Sequence, residues 1–139
     1  MKLRSTIVGL FALTLILTDL ILPVEAAPIP STKPDKALLV LYRLRKAEGS
    51  AIHLETPDSS AKSLGNLSNG SMIHEYLEPG QYTFRARSPS VDGSDSVTLD
   101  VAAGEAYYIQ GEILWGLPAG RPKFSQKPQS QALADIQKL

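Results

Sequence analysis

The chain has 139 residues, enough for one domain of ordinary size. Its 14 basic and 14 acidic side chains give a formal net charge of zero. Because this balance offers no electrostatic attraction to nucleic acid or to an anionic membrane surface, we expect neither as a partner. The chain contains no cysteine, which excludes disulfide bonds, thiolate metal sites, cysteine catalysis and attachment of a lipid to a cysteine.

Residues 1–26 have the pattern of a secretory signal peptide. Two basic residues come first, an apolar run follows at 7–17, and small residues precede a cleavage site before Ala27. An uncleaved membrane anchor is the other interpretation, but this run is shorter than the roughly 20 residues that a membrane-spanning helix needs. We therefore expect export to the periplasm or the exterior of a bacterium, without stable membrane insertion after cleavage.

The rest of the chain predicts an all-β fold. Residues 27–36 contain three prolines and no periodicity, so we interpret them as an extended linker. Short alternating segments follow over residues 37–128, the pattern of a small antiparallel β-sandwich of about seven strands. The predicted strands are 37–45, 51–55, 63–71, 72–77, 81–87, 97–101 and 106–115, and residues 88–95 are expected to form a loop.

The first predicted strand is apolar on both faces. Leu38, Val40 and Tyr42 point one way, whereas Leu39 and Leu41 point the other. Such a strand is typical of the centre of a sheet that is covered on both faces.

Residues 129–139 predict a short amphipathic helix. Its apolar residues recur at helical spacing, and they are Ala132, Leu133, Ile136 and Leu139. Ser130 is the predicted N-cap. Because an isolated helix of this length is marginal in water, we expect it to dock on Leu39 and Leu41. A final strand is the alternative.

The stretch from Glu78 to Arg87 predicts a turn followed by a strand. Pro79 and Gly80 stand at the second and third positions of a type II turn. The inward face of the strand then holds Tyr82, Phe84 and Ala86, and the outward face holds Gln81, Thr83, Arg85 and Arg87. The alternation favours a solvated outward face, and the sequence leaves open whether the two arginines also bind a ligand.

The strand predicted at 106–115 is the longest. Its inward face holds Tyr107, Ile109, Ile113 and Trp115. Gly111 on the same face indicates either a β-bulge or a close approach of another group.

Several short motifs together resemble one known family. They are Tyr42-Arg43, a Gly-x-Leu-x-Asn-Gly stretch (Gly65, Leu67, Asn69, Gly70), Pro79-Gly80 before a strand, and an Ala-Gly-x-x-Tyr-Tyr start of a later strand (Gly104, Tyr107, Tyr108). Over residues 37–127 the chain resembles a bacterial envelope family known as domain of unknown function 2846. Its succession of turns and strands is also similar to that of PEGA-type surface domains. The resemblance implies a transthyretin-like sandwich and supplies no catalytic residues.

The chain departs from that family in two ways. Many members look like lipoproteins, whereas this chain has no cysteine to carry a lipid. Members also often have an Asp-Gly hairpin where this chain has a longer polar turn at 56–60.

Motifs for catalysis or metal binding are missing from the sequence. It has no G-x-S-x-G elbow, Walker loop or dinucleotide fingerprint, so we predict no enzyme and no cofactor. His53, Glu55 and His74 would converge on a metal only if their strands paired, and their spacing matches no structural zinc site, so we predict no metal. Residues 92–95 faintly resemble a calcium loop, but they lack the further acidic ligands and the bidentate glutamate that an EF-hand needs, so we predict an ordinary loop.

Carbohydrate binding is the most specific hypothesis that the sequence supports. Tyr108, Gln110 and Glu112 share the outward face of one predicted strand, and Trp115 ends that strand. With Arg85 and Arg87 on an outward face nearby, these residues are candidates for a polar and aromatic platform for a sugar. The alternative is that Trp115 is part of the core and that Tyr108 is an ordinary surface tyrosine.

The best interpretation of the sequence is an exported, non-catalytic binding or structural module whose partner is an envelope protein or a glycan. A carbohydrate-binding module with surface aromatics is one alternative. A small hydrolytic or metal-dependent enzyme is a second, and a structural subunit that adds an edge strand to a partner is a third.

Overall fold

A computed structural model describes residues 28–46, 52–55, 63–88, 91–114 and 121–139. Within these ranges the chain forms eight strands and one helix. They are β1 (Ala37–Arg43), β2 (Ile52–Glu55), β3 (Ser63–Leu67), β4 (Ser71–Leu77), β5 (Gly80–Ser88), β6 (Val91–Val101), β7 (Ala106–Leu114), β8 (Arg121–Lys127) and α1 (Gln129–Ile136).

The strands form two sheets of four. The first sheet has the order β4-β1-β7-β8, and the second has the order β3-β2-β5-β6. The prediction of an all-β fold with one short C-terminal helix is confirmed. The expectation of a purely antiparallel arrangement is wrong, because β1 and β7 pair in parallel. Between these two strands the chain crosses to the second sheet twice, first for β2 and β3 and, after β4, for β5 and β6.

The core between the sheets is built from the inward faces that the alternation predicts. Phe84, Ala86 and Ile109 are fully buried there, and Ile113 is nearly so. The other members of this inner core are Ala37, Leu39, Leu41, Leu67, Leu77, Leu99, Val101 and Phe124.

A second apolar cluster, the outer cluster, lies on the opposite face of the first sheet. Leu38, Val40, Tyr42 and Tyr108 pack there against Ala132 and Ile136 of α1. The helix therefore docks on Leu38 and Val40, and the prediction that it docks on Leu39 and Leu41 is wrong. Both faces of β1 are apolar, so alternation alone could not assign the helix to one of them.

The start of α1 also differs from the prediction. Pro128 occupies the N-cap position, no side chain makes a capping hydrogen bond, and Ser130 lies inside the helix. The helix is held mainly by its apolar contacts with the first sheet.

Two further strand assignments differ from the prediction. Residues 91–95 belong to β6, because β5 and β6 form a long hairpin that continues past a register shift at Arg87 and Ser88. β8 was not predicted as a strand, since only Pro122 and Phe124 are apolar in it, yet it pairs with β7 along its whole length. Pro122 is tolerated because β8 is an edge strand.

Gly104 and Gly80 stand in two of the turns that carry the chain from one sheet to the other. Gly104 has φ 80° in a turn closed by a 3.3 Å hydrogen bond from Glu105 N–H to Ala102 O, as a type II turn requires. Gly80 has φ 154°, which also favours glycine but is far from the value near +80° that the predicted type II turn needs.

β1 ends in a buried arginine on the inner side of the first sheet. Arg43 is 2% exposed, and this burial lowers its pKa. In the β1–β7 ladder Tyr42 pairs with Gln110, so Arg43 comes next to Gly111. Gly111 pairs with Phe124 without a register shift, so it is not at a β-bulge.

Residues 28–36, which we expected to be a linker, contact the first sheet. Ile29 packs on the outer cluster, and the Tyr76 hydroxyl donates a 2.7 Å hydrogen bond to Ser31 O. The Lys33 ammonium lies 4.0 Å from the centre of the Tyr76 ring.

Candidate functional site

The aromatic half of the predicted sugar platform is buried. Tyr108 is 3% exposed because α1 covers it, and Gln110, the neighbour of Tyr42 in the ladder, is 6% exposed. A ring in this position cannot stack on a sugar in solution. The expectation that Tyr108 is a surface residue is therefore wrong, although its predicted position opposite Tyr107 on the strand is correct. Trp115 lies outside the described residues.

Glu112 is the member of that group nearest to the surface. Its carboxylate forms a 3.4 Å ion pair with Lys46, and about a fifth (21%) of its side chain is exposed. Lys123 on β8 is its partner in the ladder. Glu112 is thus engaged by a lysine from the same chain, and it lies beside the buried residues rather than on an open surface.

A buried polar contact joins β1 to α1. The hydroxyl of Tyr42 donates a 3.1 Å hydrogen bond to the carboxylate of Asp135. Burial, this hydrogen bond and the negative charges of Asp135 and Glu112 all raise the pKa of Tyr42, with burial the largest cause. The Lys138 ammonium also lies 3.5 Å from Asp135. This contact was not predicted, although Asp135 stands between Ala132 and Ile136 on the apolar side of the helix, which was a signal for it.

Arg85 and Arg87 lie on the outward face of the second sheet, as the alternation predicts. Arg87 is exposed and Arg85 is half-buried. We define the arginine face as the outward side chains of β5 and β6, in four cross-strand pairs. The pairs are Gln81 with Asp100, Thr83 with Thr98, Arg85 with Ser96, and Arg87 with Ser94.

Polar contacts order one end of the arginine face. Gln81 Nε2 donates a 3.0 Å hydrogen bond to Asp100, and the hydroxyls of Thr83 and Thr98 are 2.9 Å apart. At the other end the two arginines are two residues apart on one strand, a spacing of about 7 Å. On the other side of β5, Arg85 has Glu55 as its register partner and Arg87 has His53.

The structure therefore separates the residues that the sequence hypothesis combined. Tyr108, Gln110 and Glu112 are on the first sheet, whereas Arg85 and Arg87 are on the outward face of the second, with the inner core between them. Ser94 was missed as a neighbour of Arg87 because its glycine-rich and serine-rich surroundings predicted a loop.

The residues considered for a metal are not brought together by strand pairing. His74 is on β4 of the first sheet, whereas His53 and Glu55 are on β2 of the second. In the described ranges no three His, Asp or Glu side chains are close enough to hold a metal ion. In the same part of the chain no helix has the length and apolar character needed to span a membrane.

Comparison with known proteins finds a similar fold among solved structures. No family model matches the chain, and no curated protein matches it. The fold is similar to that of the C-terminal domain of AlgF from P. aeruginosa, with a TM-score of 0.46 and 18% sequence identity, over 67% of this chain and 99% of that one. A similarity at this level has no bearing on function, and the resemblance to domain of unknown function 2846 stays a prediction.

Proposed function

We propose that the protein is an exported, non-catalytic binding module of the bacterial envelope, and that the arginine face binds a glycan. The observation that carries this proposal is the difference between the two outward sheet faces. The central part of the outward face of the first sheet is apolar and is covered by α1. Among the described side chains of β5 and β6 in the second sheet, the exposed ones are polar, and they are Gln81, Arg87, Ser94, Ser96, Thr98 and Asp100.

The chemistry of the arginine face suits a sugar chain. Hydroxyl, amide and guanidinium groups alternate across two strands, which gives a flat array of hydrogen-bond donors and acceptors. The guanidinium group of arginine has a planar fork of donors that binds carboxylates in a bidentate manner. An extended, partly acidic polysaccharide would match both kinds of group. This mode needs no exposed aromatic ring, and so it does not depend on Tyr108.

The test is co-sedimentation of the full chain, as processed by a bacterial host, with insoluble polysaccharide and isolated envelopes. The informative variant is the double substitution Arg85→Ser, Arg87→Ser. The matched control is Arg121→Ser, Lys123→Ser, which removes the same charge from two exposed residues of β8 on the other sheet. Both variants should first be shown to unfold at the same denaturant concentration as the unmodified chain.

Binding to polysaccharide that is lost in the Arg85→Ser, Arg87→Ser variant and kept in the β8 control would support the proposal. Equal loss in both variants would indicate unspecific attraction by charge and would contradict it. Absence of any binding would reject the glycan and direct the search to protein partners.

A further inference from the structure

The two asparagines of the chain lie close together at one corner of the sandwich. Asn66 is in β3, and Asn69 is in the turn that leads from β3 of the second sheet to β4 of the first. Asn69 is followed by Gly70. Glycine has no side chain to hinder its backbone nitrogen, so that nitrogen can attack the side-chain amide of the preceding asparagine. An Asn-Gly pair is therefore the kind of sequence most open to spontaneous deamidation.

In the folded chain the Asn69 side chain is held by Lys46. Asn69 Oδ1 accepts a 2.8 Å hydrogen bond from Lys46 N–H, and Asn69 Nδ2 donates to Lys46 O. The side-chain amide thus pairs with both backbone groups of one residue beyond the end of β1, as a neighbouring strand would. The turn itself is closed by a 2.7 Å hydrogen bond from Ser71 Oγ to Ser68 O, and Gly70 has φ 67°.

We propose that Asn69 is a deamidation site that the fold protects, and that its reaction permanently removes the contact with Lys46. The protection follows from the two hydrogen bonds, which hold the amide group toward Lys46. The attack requires the side chain to turn toward the nitrogen of Gly70. Both hydrogen bonds must therefore break before the ring can close, and the site reacts only when this corner opens locally.

The reaction needs only water. The nitrogen of Gly70 loses its proton and bonds to Cγ of Asn69, the bond from Cγ to Nδ2 breaks, and ammonia leaves with that proton. Water then opens the resulting succinimide to aspartate or isoaspartate. Nothing is oxidised or reduced. Because the attacking nitrogen must be deprotonated, the reaction is faster at higher pH.

Neither product can form both hydrogen bonds with Lys46 again. Aspartate at position 69 still accepts from Lys46 N–H, but it places a carboxylate oxygen against the carbonyl oxygen of Lys46 in place of the Nδ2 donor. Isoaspartate also lengthens the backbone of the turn. Either product adds one acidic group, which changes the formal net charge from zero to −1. The Lys46 side chain forms the ion pair with Glu112, so the loss extends to β7 of the first sheet.

Asn66 is an internal control for this chemistry. The residue after it, Leu67, is fully buried in β3, and its branched side chain hinders attack by its own backbone nitrogen. We expect Asn66 to stay intact under conditions in which Asn69 reacts.

The experiment follows deamidation of the full chain during incubation at mildly alkaline pH, in native buffer and in concentrated urea. Peptide mapping by mass spectrometry gives the extent at each asparagine, and anion exchange separates the product that carries the extra charge. Asn69→Gln is the control variant, because glutamine cyclises much more slowly. We expect reaction at Asn69 in urea and a rate in native buffer that is lower by roughly tenfold or more, as the breaking of two hydrogen bonds requires.

A second measurement tests whether loss of the contact between Asn69 and Lys46 loosens the neighbouring strands. Hydrogen exchange is compared between the unmodified chain, the isolated deamidated product and an Asn69→Asp variant, with faster exchange expected at the ends of β1 and β4 in the last two. Equal deamidation rates in native buffer and urea would overturn the protection. Absence of reaction at Asn69 in urea would reject the proposal that Asn69 is a deamidation site. Unchanged exchange in both modified forms would overturn the role of the Lys46 contact.

Discussion

The hydroxyl of Tyr42 and the carboxylate of Asp135 meet through a 3.1 Å hydrogen bond between residues that are 93 positions apart in the chain. Tyr42 is fully buried and Asp135 is 9% exposed. The contact lies among Leu38, Val40 and Ile136, which only pack. It is therefore a specific polar link between β1 and α1, and it fixes how α1 sits on the sheet.

We expect Tyr42→Phe to lower the free energy of unfolding by about 1–3 kcal/mol, since it leaves a buried carboxylate without its donor. Tyr108→Phe removes a hydroxyl from the same sheet face and is the matched control. Urea unfolding followed by circular dichroism measures both variants. A Tyr42→Phe variant as stable as the unmodified chain would show that Lys138 and water satisfy Asp135 fully.

Alkaline pH should destabilise the fold through the same residue. The folded state raises the pKa of Tyr42, chiefly by burial, above the ordinary value of 10.0, and burial also raises the pKa of Tyr108. Above about pH 10 the unfolded chain loses these protons first, so the folded state binds more protons and the free energy of unfolding falls as pH rises. Each such tyrosine contributes a slope of about 1.4 kcal/mol per pH unit.

Urea unfolding at a series of pH values from about 8 to about 11 measures that slope. This range brackets the ordinary pKa of tyrosine, which applies to the unfolded chain. Lysines titrate in the same range, so the informative quantity is the difference between the unmodified chain and Tyr42→Phe. We expect a shallower fall in the variant. Parallel curves would contradict the raised pKa of Tyr42.

Removal of residues 129–139 should expose the outer cluster. Leu38, Val40, Tyr42 and Tyr108 would then form an apolar patch on the first sheet. Such patches bind apolar dyes and favour association, so we expect dye fluorescence and a larger mass by light scattering. A monomeric truncated chain that binds no dye would mean that residues 28–36 cover the patch unaided.

Asp95 links β6 to β8 on one side of the sandwich. Its carboxylate accepts a 2.8 Å hydrogen bond from Phe124 N–H, which points away from β7. We expect Asp95→Ala to cost about 1–3 kcal/mol of unfolding free energy, because a partly buried amide loses its acceptor. Asp100→Ala, on the exposed face of the same strand, is the control and should cost about 0.5 kcal/mol or less.

The hydrogen exchange rate of the Phe124 amide tests the role of Asp95 independently. The amide of Phe124 should exchange faster in Asp95→Ala and at the original rate in Asp100→Ala. Equal exchange in the two variants would show that the edge of β8 is protected by something other than this carboxylate.

The alternation of apolar and polar residues predicted β5 well, because one face of this strand is buried and the other faces solvent. Phe84 and Ala86 lie inward and Arg85 and Arg87 lie outward, as expected. The same method could not place α1, since both faces of β1 are apolar. It also missed β8, whose pairing with β7 depends on backbone hydrogen bonds that do not appear in a pattern of polar and apolar residues.

The candidate site depended on contacts that a local pattern does not contain. Tyr108 has an outward position on its strand, and only the docking of α1 makes it a buried residue. The distance between Tyr108 and Arg85 depends in turn on which strands share a sheet. The sequence therefore supplied the faces of single strands, whereas the assignment of strands to sheets decided which side chains can act together.

The parallel pairing of β1 with β7 also has a consequence for the order of events during synthesis. β1 is the first of the described strands to be made, yet it lies between β4 and β7 and under α1, the last of the described elements. A nascent chain that ends before residue 106 therefore carries one edge of the mostly apolar strand β1 without its neighbour, which is an aggregation hazard. Because long-range pairing of this kind is slow, the chain completes its core only when its carboxyl-terminal end has emerged.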